Sequence, residues 1–553
     1  MAKLTKTHTD LLRRFTRPIV HMRTQLQLQR FGLIFGAGLS KSFGLPNWAD
    51  LVSKIARDKS VQGKRILEKF SKRASLPYKT ELLFQHFRER QAGNPLEPCT
   101  LEFENDTSAK WLKICAKHLY KKAPSDFKKT LKSHPYFLKY LSIIKNTQMT
   151  VTYNFDDFIE KALAAKRGSD DKSRGFEMVT NPWAQFRRKT GVVYHPNGAV
   201  PEGLMEVPVD RFVFSESSFA KLFLGALSGE LSGLLNHLSK NTCLIIGSSL
   251  EDEMLRNLLV QSAQTNPGNF HYYIYYLNKG KALSRAETQA IRQANFCVYN
   301  LITLFLRENE IAALGELIDP DVFDDNELSD EAEVIEIPLK YCFYLTGPLG
   351  VGKSTTINQL RNLTVLDEWL EERPEILGKP WDTLTSGEKT RSDKWIINQF
   401  KLKNDKIRRE KIGVFIIDRP PMDPLVFETP DRRPTKAKRI LSTICPKGRW
   451  VVNSGTVILL TGHHKDLAAR VLGTGRGGYT AEKLKKMEED LKAVYQLKNI
   501  RVIDTSGLSI RDVTKRVAEI IHFEDYTPCN LNEMLKGVQH TKSYKPNKKK
   551  GRT

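Results

Sequence analysis

The chain has 553 residues, a formal net charge of +24, and 40% hydrophobic and 9% aromatic residues. This length exceeds what one hydrophobic core usually serves, and the composition argues against disorder, so we expect two large globular domains. No run of eighteen apolar residues occurs, so we expect no membrane-spanning helix. The first thirty residues lack the apolar stretch of a secretory signal, which leaves a transit peptide as a weaker alternative.

Cysteine usage and charge limit the class of protein further. The seven cysteines, at positions 99, 115, 243, 297, 342, 445 and 529, include no C-x-x-C pair. They therefore predict neither a zinc ribbon nor a disulfide framework, and they suit a reducing cytoplasm. The excess of Lys and Arg would suit a phosphate backbone, but no nucleic-acid-binding motif accompanies it. Nucleic acid stays an alternative partner that we do not favour.

Short apolar segments alternate with helical stretches along the chain. A basic helical segment at residues 1–30 precedes four strand-like segments in the first half, FGLIFGAG, TQMTVTYN, TCLIIGSS and FHYYIYYL. Residues 54–142 predict a helical insertion between the first two of them. The second half repeats the pattern with KYCFYLTG, KIGVFIID, GTVILLTG and RVIDTS. This alternation is typical of parallel sheets covered by helices, so we predict two doubly wound α/β domains.

An acidic stretch separates the two halves. Residues 316–336 carry ten acids and no Lys or Arg, in contrast to the basic average, and predict an exposed linker or boundary loop. We therefore predict a first domain at residues 31–312, a linker at 313–338, a second domain at 339–530 and a basic tail at 531–553.

A glycine-containing turn follows the first predicted strand. It contains Gly36, Ala37, Gly38 and Ser40 and leads into a helical stretch. Glycines let the backbone approach a phosphate closely, and the following helix N-terminus directs free N–H groups at it. Many strand-to-helix turns carry two glycines for steric reasons alone, so this turn by itself is a weak indication of a binding site.

Four further segments strengthen that indication by their order. GAGLSKSFGLPNW resembles the GAGxSxxxGxPxW stretch of sirtuin-like domains, and TVTYNFDDFIE resembles their T-x-N-x-D motif. His195 in VVYHPNGAV stands where sirtuins carry His-Gly, FVFSESSF follows, and CLIIGSSLEDEML resembles the family's nucleotide-binding turn. The resemblance covers roughly residues 31–300, and it implies a Rossmann-type domain that binds NAD.

Cleavage of the nicotinamide–ribose bond assigns roles to these residues. Its oxocarbenium-like transition state needs a polar group for the ribose and the water, and a base near the ribose hydroxyls. Asn154 suits the first role and His195 the second. The resemblance implies that Asp156 shapes the nicotinamide end, that the first glycine turn faces the phosphates, and that the far nucleotide is held by Gly247, Ser248 and Ser249. Alternatively, Asn154 closes a turn, Asp156 caps a helix and His195 is a satisfied loop histidine.

The sequence departs from the sirtuin deacylases in two ways. Its cysteines cannot form their four-cysteine zinc module, so we expect no zinc and no deacylation. What remains resembles the zinc-less sirtuin-like domains of bacterial antiphage defence proteins, which hydrolyse NAD and work as homo-oligomers. The HPNG segment also has two residues between His195 and Gly198, which leaves the identity of the base open.

A second phosphate-binding motif lies in the second half. Gly347, Gly352, Lys353 and Ser354 have the full G-x-x-x-x-G-K-S spacing, followed by Thr355, between an apolar strand and a helix. The N–H groups of such a loop wrap a phosphate, the lysine reaches the β and γ oxygens, and Ser354 would ligate Mg²⁺. The motif predicts binding of ATP or another nucleotide with Mg²⁺.

Residues after this motif suit phosphoryl transfer. Asp418 and Arg419 end another apolar strand and supply an acid for Mg²⁺ or an acceptor hydroxyl and a cation for phosphate. Arg470 and Arg476 lie in a segment that resembles the lid of thymidylate kinases and related deoxynucleoside kinases, a resemblance that covers roughly residues 339–522. These two arginines are equally well explained as surface charges in a basic chain.

Glu368 and Trp369 in LDEWLEERP are loosely similar to the acid and the tryptophan near the acceptor base of deoxynucleoside kinases. A solvated helix face explains the segment nearly as well.

Because function resides in sites and not in folds, three functions stay open. The first, which we favour because both sites keep their chemical residues, is an NAD-hydrolysing effector under the control of a nucleotide-binding kinase-like domain, as in abortive-infection defence. The others are a nucleoside or nucleotide kinase with a regulatory NAD-binding domain, and a nucleic-acid-associated regulator.

Overall fold

The structure is a computed structural model, and it describes residues 3–69, 74–92, 100–166, 176–180, 191–203, 212–278, 280, 282–379, 383–474, 478–496 and 500–540. The chain divides into two compact units. The first contains residues 1–15 and 22–324, and the second contains residues 16–21 and 325–553. Each unit has one all-parallel sheet covered by helices, of seven strands in the first and five in the second, which confirms the predicted fold class.

The sheet of the first unit has the spatial order β3-β4-β2-β1-β5-β6-β7. Its strands are β1 (Phe31–Phe35), β2 (Met149–Thr152), β3 (Phe176–Val179), β4 (Gly191–Tyr194), β5 (Thr242–Ile246), β6 (His271–Tyr276) and β7 (Leu301–Leu306). The four strands that the sequence predicts are confirmed as β1, β2, β5 and β6. Strands β1, β2, β5 and β7 are buried at every position, because helices cover both faces of a parallel sheet.

Most helices of the first unit lie between strands. They are α1 (Lys6–Gln27), α2 (Gly38–Lys41), α3 (Trp48–Ala56), α4 (Lys64–Lys69), α5 (Leu76–Ala92), α6 (Leu101–Tyr120), α7 (Phe127–Lys132), α8 (Pro135–Asn146), α9 (Phe158–Lys166), α10 (Glu216–Leu227), α11 (Ser232–Lys240), α12 (Glu253–Thr265), α13 (Arg285–Tyr299) and α14 (Glu308–Ile318). Helices α3 to α8 lie between β1 and β2 in the chain. Residues 16–21 of helix α1 belong to the second unit. The helix contains Pro18 and is irregular at Phe15, as expected where a proline removes a helical hydrogen bond.

The strand order of the first sheet reverses at β1. This strand pairs with β2 on one side and with β5 on the other. The turns after β1 and β5 therefore meet at the carboxyl edge of the sheet. In open α/β sheets, ligands bind in the crevice at such a reversal.

The sheet of the second unit has the order β12-β11-β8-β10-β9, with β8 (Lys340–Thr346), β9 (Thr364–Leu366), β10 (Gly413–Asp418), β11 (Thr456–Thr461) and β12 (Ile500–Asp504). Its helices are α15 (Asp325–Val334), α16 (Lys353–Gln359), α17 (Ser386–Arg409), α18 (Arg433–Ile444), α19 (His464–Gly473), α20 (Ala481–Tyr495), α21 (Ile510–His522) and α22 (Leu531–His540). The four predicted strands are confirmed, and β9 is additional. Among the described residues, no helix is long and apolar enough to cross a bilayer.

Two segments that the sequence analysis interpreted as loop or tail contain helices. Within the acidic stretch, α15 forms because Leu328 and Ala332 are buried on one face of it. The predicted basic tail begins with α22, whose Leu531 and Leu535 are fully buried. The rest of that tail, residues 541–553, lies outside the described residues. In both segments, charged residues outnumber the few apolar residues at helical spacing, so the sequence pattern indicated a loop or a tail instead of a helix.

Candidate functional site

The glycine turns after β1 and β5 are in direct contact. The N–H of Gly38 donates to the carbonyl oxygen of Gly247 over 2.8 Å, and the N–H of Gly36 donates to that of Ile246 over 2.9 Å. A Cβ added to Gly36 or Gly38 would lie 2.7 Å or 2.9 Å from the carbonyl oxygen of Gly247. Gly247 itself has a φ of +72°. Side chains are thus excluded at three positions, and the two turns pack backbone against backbone where the strand order reverses.

The residues that the sequence analysis selected beside these glycines differ in their exposure to solvent. Ser40 is buried, whereas Ala37 and Ser249 are exposed at the sheet edge. The hydroxyl of Ser248 accepts from the N–H of Leu250 over 3.2 Å, and its carbonyl accepts from the Tyr273 hydroxyl over 2.9 Å. The second turn is therefore fixed by its own hydrogen bonds.

Asn154 lies directly beside the crevice, where β2 ends. Its Nδ2 donates to the carbonyl oxygen of Gly36 over 3.1 Å and to the hydroxyl of Ser40 over 2.9 Å. Its Oδ1 is buried and has no hydrogen-bond partner among the described residues. Leaving a buried acceptor unsatisfied costs about 1–3 kcal/mol, so this oxygen is suited to accept from a ligand hydroxyl or a water.

Asp156 is a buried carboxyl next to the same groups. Burial raises its pKa to about 6, even though hydrogen bonds from Ser40 and from the N–H of Phe158 favour its ionised form. The carboxyl is therefore ionised at neutral pH and gains a proton in mildly acidic solution. A group of this kind can accept a proton from a reacting water.

His195 is completely buried, and both of its ring nitrogens have partners. Nδ1 lies 3.0 Å from the carbonyl oxygen of Asn154, and Nε2 lies 2.8 Å from Oε1 of Glu160. Because both partners are acceptors, both nitrogens donate, which requires a protonated ring. Burial opposes this charge, but the hydrogen bond and charge of Glu160 outweigh it and the pKa of His195 is raised. In this arrangement His195 has no free nitrogen to accept a proton, and its role as base stays a prediction.

Three polar residues of this region were not predicted from the sequence. Glu160 holds His195, and the Nδ2 of Asn197 donates to Oδ2 of Asp252 over 3.2 Å. Oδ1 of Asn197 is buried without a partner in the described part of the chain. Glu160 stands in the TVTYNFDDFIE segment, four residues after Asp156, and this nearness to a selected residue was the signal that the sequence offered.

Aromatic rings form an apolar wall near Asn154. Trp48 stacks on Phe214 and Phe219, with ring centroids 5.7 Å and 5.4 Å apart, and meets Phe155 edge to face at 6.3 Å. The wall joins the segments GLPNW, TVTYNFDDFIE and FVFSESSF, which the sequence analysis assigned to one site.

A cavity of about 940 Å³ opens at the carboxyl ends of β6 and β7. This edge of the sheet also carries the glycine crevice, and the volume is within the usual range for small-molecule sites. None of the predicted site residues lines it. Aromatic rings and polar groups do, among them Tyr136, Tyr276, Asn278, Phe305, Arg307 and Asn309.

The loop with the predicted phosphate-binding motif connects β8 to α16. Gly347, Gly350 and Gly352 have φ values of +150°, +78° and +100°, which side chains rarely adopt. The Nζ of Lys353 donates to the carbonyl oxygens of Gly347 and Pro348 over 2.8 Å and 2.9 Å. Burial is the main reason that its pKa is lowered to about 7. The loop thus holds its lysine in place, and Ser354 and Thr355 are exposed at the start of α16.

A charged cluster lies at the end of β10. The Nε of Arg419 donates to Oε1 of Glu368 over 2.6 Å, and its Nη1 donates to Oδ2 of Asp423 over 3.3 Å. Asp418 is buried, which raises its pKa, and its Oδ1 has no partner among the described residues. Lys403, which the sequence analysis did not select, donates to the carbonyl oxygen of Asp418 over 2.6 Å. The structure therefore unites Asp418 and Arg419 with two further acids and a lysine.

Of the two predicted lid arginines, the structure describes one. Arg470 is exposed on α19, and Arg476 lies outside the described residues. In the part of the chain that the structure describes, no group of three or more His, Cys, Asp or Glu side chains is placed to hold a metal ion. The Mg²⁺ role of Ser354 stays a prediction.

Comparison with protein-family models finds a SIR2-like domain at residues 148–299. The matched range includes Asn154, Asp156, His195 and the turn at Gly247, and it begins after β1. A comparison with curated proteins finds no match. The first unit therefore contains a SIR2-like domain, whose candidate site lies where the strand order of its sheet reverses.

Proposed function

We propose that the first unit hydrolyses NAD to nicotinamide and ADP-ribose. The observation that carries this proposal is the position of Asn154, whose buried oxygen has no partner among the described residues and whose amide binds the first of two closely packed glycine turns. A pyrophosphate needs such close backbone approach, and a ribose needs such an acceptor. The SIR2-like match supports NAD as the substrate.

The residues of the crevice suit hydrolysis in the following way. The bond between ribose C1′ and the nicotinamide nitrogen breaks, its electron pair leaves with nicotinamide, and water bonds to C1′. Asn154 accepts a hydrogen bond from the water or a ribose hydroxyl through Oδ1. Asp156, ionised at neutral pH, takes the proton that the water loses. The aromatic wall around Trp48 limits the entry of further water molecules from the side of the site that it covers.

The test is incubation of purified protein with NAD, followed by chromatography of the products. We expect wild type to release nicotinamide and ADP-ribose in equal amounts, and Asn154→Ala to do so at least a hundredfold more slowly. Circular dichroism and thermal unfolding check that the variant is folded. Equal rates in the two folded proteins would remove Asn154 from the mechanism, and an inert wild type under all nucleotide conditions would refute the proposal.

We further propose that the second unit binds ATP or another nucleotide with Mg²⁺ and thereby controls NAD hydrolysis, as an antiphage effector requires. The glycine loop, Lys353 and the cluster around Asp418 support nucleotide binding. A nucleotide exerts control only if it binds the active and inactive states unequally. NAD hydrolysis by wild type and Lys353→Ala should therefore differ at nucleotide concentrations that saturate wild type. Identical rates with every nucleotide would refute control through this site.

The active form is proposed to be a homo-oligomer, on the basis of the resemblance to defence effectors. Light scattering of the NAD-hydrolysing protein should give a mass well above that of one 63.2 kDa chain. A single chain in the active state would refute this proposal.

A second candidate function is phosphorylation of a nucleoside or nucleotide. The contact between Arg419 and Glu368 beside Asp418 favours it, because phosphoryl transfer needs an acid and a cation near the reacting groups. Deoxynucleosides and their monophosphates, offered with ATP and Mg²⁺, should be phosphorylated at roughly 1–100 per second if this is the main activity. No product from any of them would exclude it for these acceptors.

A further inference from the structure

A chain of contacts leads from α9 to the crevice of the first unit. Glu160 on α9 accepts from Nε2 of His195 over 2.8 Å, and Nδ1 of His195 donates to the backbone carbonyl of Asn154 over 3.0 Å. Asn154 in turn donates through its side chain to Gly36 and Ser40. The carboxylate is thus two contacts away from the residue proposed to act on the ribose.

The groups around His195 determine its charge. Glu160 faces it from α9, and the carboxyl of Asp156 and the carbonyl of Asn154 face it from the segment after β2. All three favour a positive ring, and burial alone opposes it. A neutral ring has one N–H, so it could satisfy only one of its two acceptors. Protonation is therefore what keeps both contacts in place.

We propose that Glu160 is a positioning residue, which holds His195 as a donor from both nitrogens and, through His195, fixes the backbone of Asn154 at the NAD crevice. This inference rests on the proposed NAD hydrolysis. It gives His195 a role in orientation, whereas the sequence analysis expected a base. Asp156 then remains the proton acceptor of the site.

The alternative is that Glu160 activates His195 as a neutral base. The two roles predict opposite pH dependence. If both contacts are needed, activity falls as pH rises through the pKa of His195. If His195 is a base, activity rises through the same pKa. In either case, loss of the Glu160 carboxylate lowers the pKa of His195, because an opposite charge is removed.

The test compares wild type with Glu160→Gln, Glu160→Asp and a matched control, Glu316→Gln. Glu316 also binds a buried histidine, His8, over 2.7 Å, and its side chain is 22% exposed against 19% for Glu160. We expect Glu160→Gln to lower kcat about tenfold or more, with a smaller effect on KM, and to move the alkaline limb of the pH profile to lower pH. Glu160→Asp should keep that limb closer to wild type, and Glu316→Gln should leave the profile unchanged.

Histidine NMR titration provides a readout that does not depend on NAD. In protein labelled with ¹⁵N-histidine, the His195 signal, identified by its loss in His195→Gln, should titrate at lower pH in Glu160→Gln than in wild type. An unchanged titration, an alkaline limb that stays in place, or activity that rises through the titration of His195 would each overturn the inference. A wild type that fails to cleave NAD would refute the proposed function, while the titration would still decide whether Glu160 keeps His195 charged.

Discussion

Gly36 and Gly247 lie so close together that a Cβ on the first would be 2.7 Å from the carbonyl oxygen of the second. That atom belongs to the backbone of β5's turn, so it cannot rotate away as a side chain would. The turns after β1 and β5 therefore fit against one another only without side chains at these positions.

We expect Gly36→Ala to lower nicotinamide release at least tenfold and to lower the free energy of unfolding by about 1–3 kcal/mol, because the added methyl separates the two turns. Gly387→Ala is the control, since a Cβ there has nothing within 4 Å and stands in the first turn of α17. It should be neutral or slightly stabilising. A Gly36→Ala protein with wild-type rate and stability would contradict the tight fit of the turns.

Ser40→Ala should change the pH dependence of NAD hydrolysis. The Ser40 hydroxyl stabilises the ionised form of Asp156, so its removal raises the pKa of Asp156 above about 6. Because the proposed mechanism needs the ionised carboxyl, the acid limb of the pH profile should move to higher pH. Ser42→Ala is the control, since that hydroxyl contacts Tyr136 instead. A shift of the acid limb to lower pH would exclude Asp156 as the group that titrates.

Nucleotide binding by the second unit should take up a proton. Burial lowers the pKa of Lys353 to about 7, and a phosphate next to Nζ would raise it again. At pH 8, the free lysine is mostly neutral and the bound lysine is charged. Calorimetry in buffers of different ionisation enthalpy should show this uptake for wild type but not for Lys353→Arg. A binding enthalpy independent of buffer would contradict the prediction.

Asp423 should be important for the stability of the second unit. It accepts hydrogen bonds from Thr346 over 2.9 Å and from the Tyr495 hydroxyl over 2.7 Å, and it pairs with Arg419. Asp423→Ala leaves buried donors and a cation without their acceptor, which typically costs about 3–5 kcal/mol. Asp466→Ala, at a side chain that is 64% exposed, should have little effect in the same denaturation experiment. Equal stability of the two variants would show that the cluster reorganises at no cost.

Strands that a glycine turn follows, such as β1 and β5, could be predicted, whereas β3, β4, β7 and β9 were missed, even though β7 is buried at every position. β1 and β5 are buried throughout and bounded by glycine, so their pattern is clear. β3 is only partly buried, and β9 has three residues. The latter two strands form because a neighbouring strand supplies hydrogen-bond partners, which is a property of the folded sheet and not of a short segment.

The candidate site was predictable where a motif has a fixed order, as for Gly36, Asn154 and Asp156. Glu160 was missed because a glutamate on a helix ordinarily indicates a solvated face. Its contact with His195 depends on the fold, because that histidine follows β4 and lies 35 residues further along the chain. The tight contact between the two glycine turns likewise depends on the order of strands in the sheet, which single segments do not encode.

The strand order of the first sheet also sets when a growing chain can complete the candidate site. Phe35 pairs with both Thr152 and Ile246, residues far from it in sequence. A nascent chain that has not yet reached β5 has no second glycine turn. Contacts between such distant segments form late, after much of the unit has been synthesised. The candidate site therefore stays incomplete on the ribosome, and products that end before β5 should lack the proposed NAD hydrolysis.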